Sequence, residues 1–182
     1  MSFLEKDLEE IIYKAEREEL LKRGLSISGI KKRQLRIGNY GIADMVTFER
    51  LSTDEISPES KIIDGKEVYH LEVYHDQALL VTVYEFKKDK IGISAFLQAV
   101  GYCQGIRRYL DGRDFCKSVI FNIVLVGKVL DKSSTFSYLA DIVNVDKSCE
   151  SFLKCYTYSY DVDGISFDEK WGYSLIDEGF KL

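Results

Sequence analysis

Cysteine and histidine are scarce in this chain, and none of them is spaced as a zinc ligand. The 182 residues include four cysteines and two histidines, and no Cys-x-x-Cys pair occurs. Structural zinc sites need closely spaced pairs of such ligands, so the pattern excludes one here. We expect reduced thiols at the four cysteines, which are Cys103, Cys116, Cys149 and Cys155.

Long apolar runs are also missing, and the N-terminus lacks the apolar core of a signal peptide. Met1 to Asp7 turns charged at once, and no run approaches the roughly 20 residues of a membrane span. We therefore expect a cytoplasmic protein with no membrane partner. Hydrophobic residues make up 46% of the chain and charged residues 30%, which is ordinary for a soluble globular protein of one domain.

An excess of positive charge is absent as well. The net charge is −5, which argues against a protein that coats nucleic acid but not against an enzyme that grips a few phosphates. Residues 141–182 carry nine acidic and four basic side chains, while the preceding 140 residues are balanced. An anionic partner should therefore avoid the C-terminal segment.

Apolar periodicity predicts the main elements. Residues 3–23 have apolar side chains at spacings of three and four, which is typical of an amphipathic helix of about five turns. A turn signal at 38–41 joins two strands into a hairpin. A second long helix is expected from Ser94 to about Leu110. Strands are predicted at 34–37, 42–48, 78–88 and 118–129.

The regions between and beyond these elements are less regular. Residues 51–65 are polar, contain the only proline, Pro58, and predict a loop or insertion. Val68 to Tyr74 fits either an extra strand or the outer half of a long hairpin with 78–87. Beyond Val129 we expect a helix at 136–143 and strands near 156–160, 164–167 and 173–176. The fold class is therefore α/β, with a mixed central sheet, helices on its faces and a strand-rich C-terminal extension.

The most distinctive stretch is the strand at 78–88, where an apolar run ends in Glu85-Phe86-Lys87. Strand side chains alternate, so Glu85 and Lys87 project from one face while Phe86 points to the other. Burying a carboxylate at the end of such a strand is costly unless something compensates it. An isolated Glu-x-Lys is usually a salt-bridged strand end, so its neighbours decide how it is interpreted.

The best basic patch lies between Gly29 and Gly38. It contains Lys31, Lys32, Arg33 and Arg36 and no acidic residue. This patch is the first candidate for gripping a phosphate backbone.

Taken in order, the chain offers an acidic helix, Asp44 inside an apolar strand, Glu85-x-Lys87, and Gln98-x-x-x-Tyr102 on the next helix. This order resembles the PD-(D/E)xK, or restriction-endonuclease-like, nuclease superfamily, and is closest to its RecB-type and archaeal repair-nuclease branches. The resemblance covers roughly 3–129 and implies an αβββαβ nuclease core. We thus predict a single restriction-endonuclease-like domain at 1–182, with an acidic extension from about 130.

The resemblance implies a metal-dependent deoxyribonuclease that hydrolyses phosphodiester bonds. Asp44 and Glu85 would bind Mg²⁺ or Mn²⁺ together with the backbone carbonyl of Phe86, because hard cations prefer oxygen ligands. Lys87 would activate or position the attacking water and stabilise developing negative charge. Of the first-helix acids, Glu5 and Glu9 both match, and Glu5 is favoured. The cysteines are too scattered for the iron–sulfur cluster that some RecB-type members carry.

The following helix and the basic patch complete the expected site. The resemblance implies that Gln98 orders the site or contacts phosphate, and we assign Tyr102, with Lys31, Lys32, Arg33 and Arg36, to nucleic-acid binding. The alternatives are a buried, satisfied glutamine and a core tyrosine. DNA is the expected partner, RNA is not excluded, and a homodimer would suit cutting two strands.

Two departures from the family pattern stand out. Ala43 replaces the proline of the motif, and the long interval from Asp44 to Glu85 implies an insertion at about 51–74. The alternative to an enzyme is a catalytically inactive member of the same fold that binds nucleic acid or a protein.

Overall fold

The computed structural model describes residues 4–63, 66–111, 118–133, 135–136, 139 and 151–172, and within these it leaves the side chains of 52–77, 118, 151–152 and 171–172 undescribed. These residues form an α/β fold in which a six-stranded mixed sheet packs with three helices. The helices are α1 (Glu5–Lys14), α2 (Arg17–Lys22) and α3 (Ile93–Leu110). The strands are β1 (Ile30–Arg36), β2 (Ile42–Ile63), β3 (Lys66–Phe86), β4 (Lys90–Ile91), β5 (Ser118–Gly127), β6 (Val129–Leu130), β7 (Ser151–Asp161) and β8 (Gly164–Gly172).

The N-terminal helix is shorter than its apolar periodicity predicts. Instead of one helix over 3–23 there are two, separated by Ala15 and Glu16 in extended conformation. The ammonium of Lys31 donates hydrogen bonds to the carbonyls of Ile12, Tyr13 and Ala15 at 2.8–3.3 Å. These carbonyls therefore have a partner that replaces the amides of a continuing helix.

The prediction of a loop at 51–65 is wrong for the described residues of that stretch, 51–63, because they form the outer part of β2. Pro58 pairs with Leu71, and the antiparallel register continues from Met45–Tyr84 out to Ile63–Lys66. β1 pairs with β2 only as far as Phe48, and β5 pairs with β3 only from Ala78 onwards. Beyond these points β2 and β3 pair with each other alone and form a two-stranded arm, which includes the uncertain stretch 68–74.

The sheet order is β1-β2-β3-β5-β7-β8, and β3, β5 and β7 run parallel at its centre. α3 connects β3 to β5 and covers one face through Ala95, Phe96 and Ala99, among others. α1 and α2 cover the opposite face. The strand ends that carry Glu85 are therefore covered by helices on both sides.

Several expectations fall partly or wholly outside the described residues. The strand at 173–176 and most of the helix at 136–143 belong to this group. Among the described residues, every helix is too short or too polar to traverse a bilayer.

Candidate active site

The site forms where the ladder between β2 and β3 ends. Their last pair is Met45–Tyr84, and one residue further on the carboxylate of Asp44 accepts a hydrogen bond from the backbone N–H of Phe86 at 2.9 Å. A side-chain oxygen thus replaces the ladder bond that a continuing strand would have made. Asp44 is thereby fixed beside the Glu85–Lys87 segment.

Glu85 is fully buried at the end of the apolar strand. By alternation its side chain lies on the same face as Leu79, Val81 and Val83, which pack in the core beneath α3. Lys87 donates a hydrogen bond to Oε1 of Glu85 at 2.6 Å, whereas Oε2 has no hydrogen-bond partner within the described part of the chain. A buried carboxylate oxygen left in this way is costly and calls for an explanation.

Phe86 anchors the segment from the other face of the sheet. Its ring is fully buried in the cluster beneath α1 and stacks on Tyr84 at a centroid distance of 6.4 Å. The alternation expected for Glu85-Phe86-Lys87 is therefore observed, and a rigid strand presents the backbone of Phe86 to the site.

The titration of the three charged groups follows from this environment. Burial raises the pKa of Asp44 to about 6, against the lowering effect of the Phe86 amide and of Lys87. Burial and the negative charge of Asp44 raise the pKa of Glu85 to about 7. Burial disfavours the ammonium of Lys87, but its bond to Glu85 and the surrounding carboxylates outweigh this and raise its pKa. Near neutral pH, burial and mutual repulsion therefore disfavour Asp44 and Glu85 both carrying a negative charge.

The two acids of α1 have different surroundings. Glu5 accepts a hydrogen bond from the backbone N–H of Lys88 at 3.2 Å, and its other oxygen lies 3.8 Å from the ammonium of Lys87. Glu9 is buried and accepts a bond from Arg33 at 2.5 Å. Glu5 is therefore the acid beside Lys87, while Glu9 joins α1 to β1.

Gln34 completes the contact with Glu9, and no sequence pattern indicated this role. Its amide donates to both carboxylate oxygens of Glu9 at 2.9 Å, and its φ is +50°. Since Arg33 pairs with Met45 and Leu35 with Ala43, Gln34 lies opposite Asp44. A residue in this strained conformation persists only where its surroundings fix it, and it lies directly beside the site.

Gln98 and Tyr102 of α3 are joined to each other. The amide of Gln98 donates to the Tyr102 hydroxyl at 2.7 Å, and that hydroxyl donates to the carbonyl of Ile42 at 2.8 Å. Tyr102 is only 3% exposed, so its contacts in this structure are internal. The pair ties α3 to the start of β2, two residues before Asp44.

The basic patch divides into two halves by alternation along β1. Lys31 and Arg33 point towards α1, where their side chains bind helix carbonyls and Glu9. Lys32 and Arg36 have exposed side chains. The surface available for a phosphate backbone is therefore smaller than the sequence suggests.

The donor set for a metal consists of two carboxylates and backbone oxygen. Within the described residues there is no group of three or more His, Cys, Asp or Glu side chains arranged to hold an ion. Asp44, Glu85 and the Phe86 carbonyl are hard oxygen donors, which fits Mg²⁺ or Mn²⁺ rather than a softer metal. Because Mg²⁺ usually keeps several waters, two carboxylates suffice for it.

Comparisons of the chain with protein-family models, with curated proteins and with solved structures found no match.

Proposed function

We propose that the chain is a metal-dependent nuclease of the PD-(D/E)xK superfamily that hydrolyses phosphodiester bonds of DNA. The observation that carries the proposal is Glu85, a fully buried carboxylate beside Lys87 and Asp44, one oxygen of which has no hydrogen-bond partner among the described residues. A purely structural salt bridge would give no reason for Oε2 to be buried without a partner in the described part of the chain. A cation between the two carboxylates would satisfy that oxygen and offset their mutual repulsion.

The chain order supports the same proposal. Apart from the short α2 and β4, the elements α1, β1, β2, β3, α3 and β5 follow the αβββαβ order, with Asp44 on the second strand and Glu85-x-Lys87 at the end of the third. The long interval between them is taken up by the arm of β2 and β3, which extends away from the rest of the sheet. The insertion thus leaves the two carboxylates in adjacent strands.

Each side chain has a role that its contacts suit. Asp44, Glu85 and the Phe86 carbonyl would hold Mg²⁺ or Mn²⁺, which when bound supplies Lewis acidity and neutralises phosphate charge. The ammonium of Lys87 would orient the attacking water and stabilise negative charge on the phosphoryl oxygens. Glu5 would keep Lys87 in place through Lys88, and Gln98 would order the helix side of the site.

DNA binding is supported by the exposed cations of β1. Lys32 and Arg36 are exposed on the hairpin that leads into Asp44. Their charge suits a phosphate backbone and would make binding sensitive to salt. A homodimer would place two such sites on opposite strands.

The second candidate is a catalytically inactive binding module of the same fold. It is favoured by the short bond between Lys87 and Glu85, and by the lack of a third ligating side chain among the described residues. In that case Glu85 would keep Lys87 as its permanent counterion, and the site would take no metal.

One assay separates the candidates. Plasmid, linear and branched DNA and RNA are incubated with the protein in Mg²⁺, in Mn²⁺ and in EDTA, beside Lys87→Ala and a control, Lys14→Ala, whose side chain is exposed on α1. The nuclease proposal expects cleavage that EDTA and Lys87→Ala abolish and Lys14→Ala leaves intact. Absence of cleavage with every metal and substrate would favour the binding module.

A further inference from the structure

A groove lies along α3 beyond Tyr102, between the C-terminal half of that helix and the turn at 38–40. Its volume is about 540 Å³, within the range of about 300–1,000 Å³ typical of small-molecule sites. Leu35, Ile37 and Ile106 form part of its wall, with the rings of Tyr40 and Tyr109 beside them. Tyr109 is 64% exposed and Tyr40 is 36% exposed, so aromatic surface borders the groove.

The close fit of turn and helix builds this groove. Gly105 faces the turn, and a β-carbon there would come within 2.7 Å of the Tyr40 ring and 2.4 Å of Ile37. The glycine therefore lets the Tyr40 ring lie directly against the backbone of α3. Arg108 of the next turn lies over the Tyr40 ring, with its guanidinium carbon 5.7 Å from the centroid.

The charge at the groove favours an anionic ligand. Among the described residues, its lining contains Arg36 and Asn39 and no acidic side chain, and Arg108 lies over the Tyr40 ring. A groove that binds an apolar protein segment would have no need of arginines beside its aromatic rings. Aromatic rings beside arginines are the combination that stacks unpaired bases while holding their phosphates.

The groove is also in line with the candidate active site. Tyr109 follows Tyr102 by seven residues, so both lie on one face of α3, about 10 Å apart along its axis at 1.5 Å per residue. About three nucleotides stacked at 3.4 Å per step span this distance. Tyr102 bonds to the carbonyl of Ile42, two residues before Asp44, so the groove lies further along the helix face that contacts the strand carrying Asp44.

We infer that the groove between Tyr40 and Tyr109 binds an unpaired nucleobase of the strand held at the active site, with Arg36 on the adjoining phosphate. The inference rests on the proposed function and narrows its substrate to DNA that is single-stranded or locally opened. Stacking tolerates any base, so the groove would select strand structure rather than sequence.

The test measures binding of a fluorescein-labelled single-stranded oligonucleotide in EDTA, where cleavage is prevented. Tyr109→Ala should weaken binding about 5- to 100-fold, as expected from loss of one stack, while Tyr109→Phe keeps it. The control is Tyr160→Ala. Tyr160 lies on β7 and is as exposed as Tyr109, and its loss should leave oligonucleotide binding unchanged. Tyr109→Ala should weaken the binding of duplex DNA much less than the binding of the single strand.

A scan with abasic sites keeps the inference testable on the unaltered protein. Removing one base at a time should weaken binding at one position only, and at that position Tyr109→Ala should cause no additional loss. Equal binding by Tyr109→Ala and wild type, or a change only in oligomeric state, would overturn the groove assignment while cleavage by the wild type still upheld the nuclease. If the wild type neither binds nor cleaves, the proposed function fails as well.

Discussion

The carboxylate of Asp44 accepts a hydrogen bond from the backbone N–H of Phe86 at 2.9 Å, immediately beyond the last paired residues of β2 and β3. This bond holds the first carboxylate of the site against the middle residue of Glu-x-Lys. It links the position of Asp44 to a backbone that the buried ring of Phe86 anchors. Asp44 is also one of the oxygen donors that we propose for the metal, together with Glu85 and the Phe86 carbonyl.

Asp44 has a structural role and a proposed catalytic role, and two substitutions separate them. In Asp44→Asn the side-chain oxygen can still accept from Phe86, so we expect unchanged stability and loss of cleavage. In Asp44→Ala the amide loses its partner, and the free energy of unfolding should also fall by about 1 kcal/mol. Urea unfolding and plasmid cleavage measure the two effects. An Asp44→Asn variant that cuts normally would remove Asp44 from the metal site.

Glu5 is expected to matter for activity more than its exposure suggests. Glu5→Gln keeps an acceptor for the Lys88 N–H but removes the charge 3.8 Å from the Lys87 ammonium. We expect cleavage to slow by about tenfold with little change in stability. The matched control on the same helix is Glu10→Gln, which loses only a surface pair with Lys14. Equal rates for both variants would contradict a role for Glu5.

The contact between Arg33 and Glu9 should stabilise the fold rather than bind nucleic acid. Arg33→Met leaves the buried Glu9 with Gln34 as its remaining partner, and we expect a loss of about 1–3 kcal/mol in urea unfolding. Lys32→Met, at the exposed neighbouring position, should leave stability unchanged and weaken DNA binding instead. The reverse pattern would restore Arg33 to the nucleic-acid surface.

The pH dependence of stability should reveal the buried carboxylates. Glu85 has a pKa of about 7 in the folded chain, against 4.5 for an ordinary glutamate. As pH rises, the carboxyl group of Glu85 therefore loses its proton at a lower pH in the unfolded chain than in the folded one. Stability in EDTA should therefore fall as pH rises from about 4 to 7, by about 2–3 kcal/mol from this group. Glu85→Gln should flatten that fall, and Glu18→Gln, exposed on α2, should not. Denaturant midpoints across this pH range provide the measurement.

Much of the fold could be predicted because its signals are local. The patterns that predict the glycine-containing turn at 38–41 and the apolar strand at 78–86 each lie within a few neighbouring residues, and both elements are observed. The break between α1 and α2 could not be predicted, since the lysine that takes up the last carbonyls is 16 residues away from Ala15. Residues 51–63 were predicted as a loop because their polar composition hid a strand whose pairing partner lies in β3, whereas 68–74 belongs to the long hairpin that was one of its two interpretations.

The site also has features that could be predicted from the sequence and features that could not. The alternation of Glu85, Phe86 and Lys87 predicted which side chains would meet, and the structure brings Asp44 and Glu5 to them. The partners of Arg33 and Tyr102 were not predictable, because cationic and aromatic residues serve surfaces and interiors alike. Gln34 gave no signal, since its positive φ is imposed by contacts with α1 rather than by its own residue type.

The central claim is that Glu85 is a metal ligand of a nuclease and not merely the counterion of Lys87. The most direct test is the rate of DNA cleavage in Mg²⁺ by Glu85→Gln, which can still accept the Lys87 hydrogen bond, beside wild type and Glu18→Gln. We predict a loss of about 100-fold or more for Glu85→Gln alone, with its fold intact by circular dichroism. Cleavage by Glu85→Gln at the wild-type rate would contradict the account.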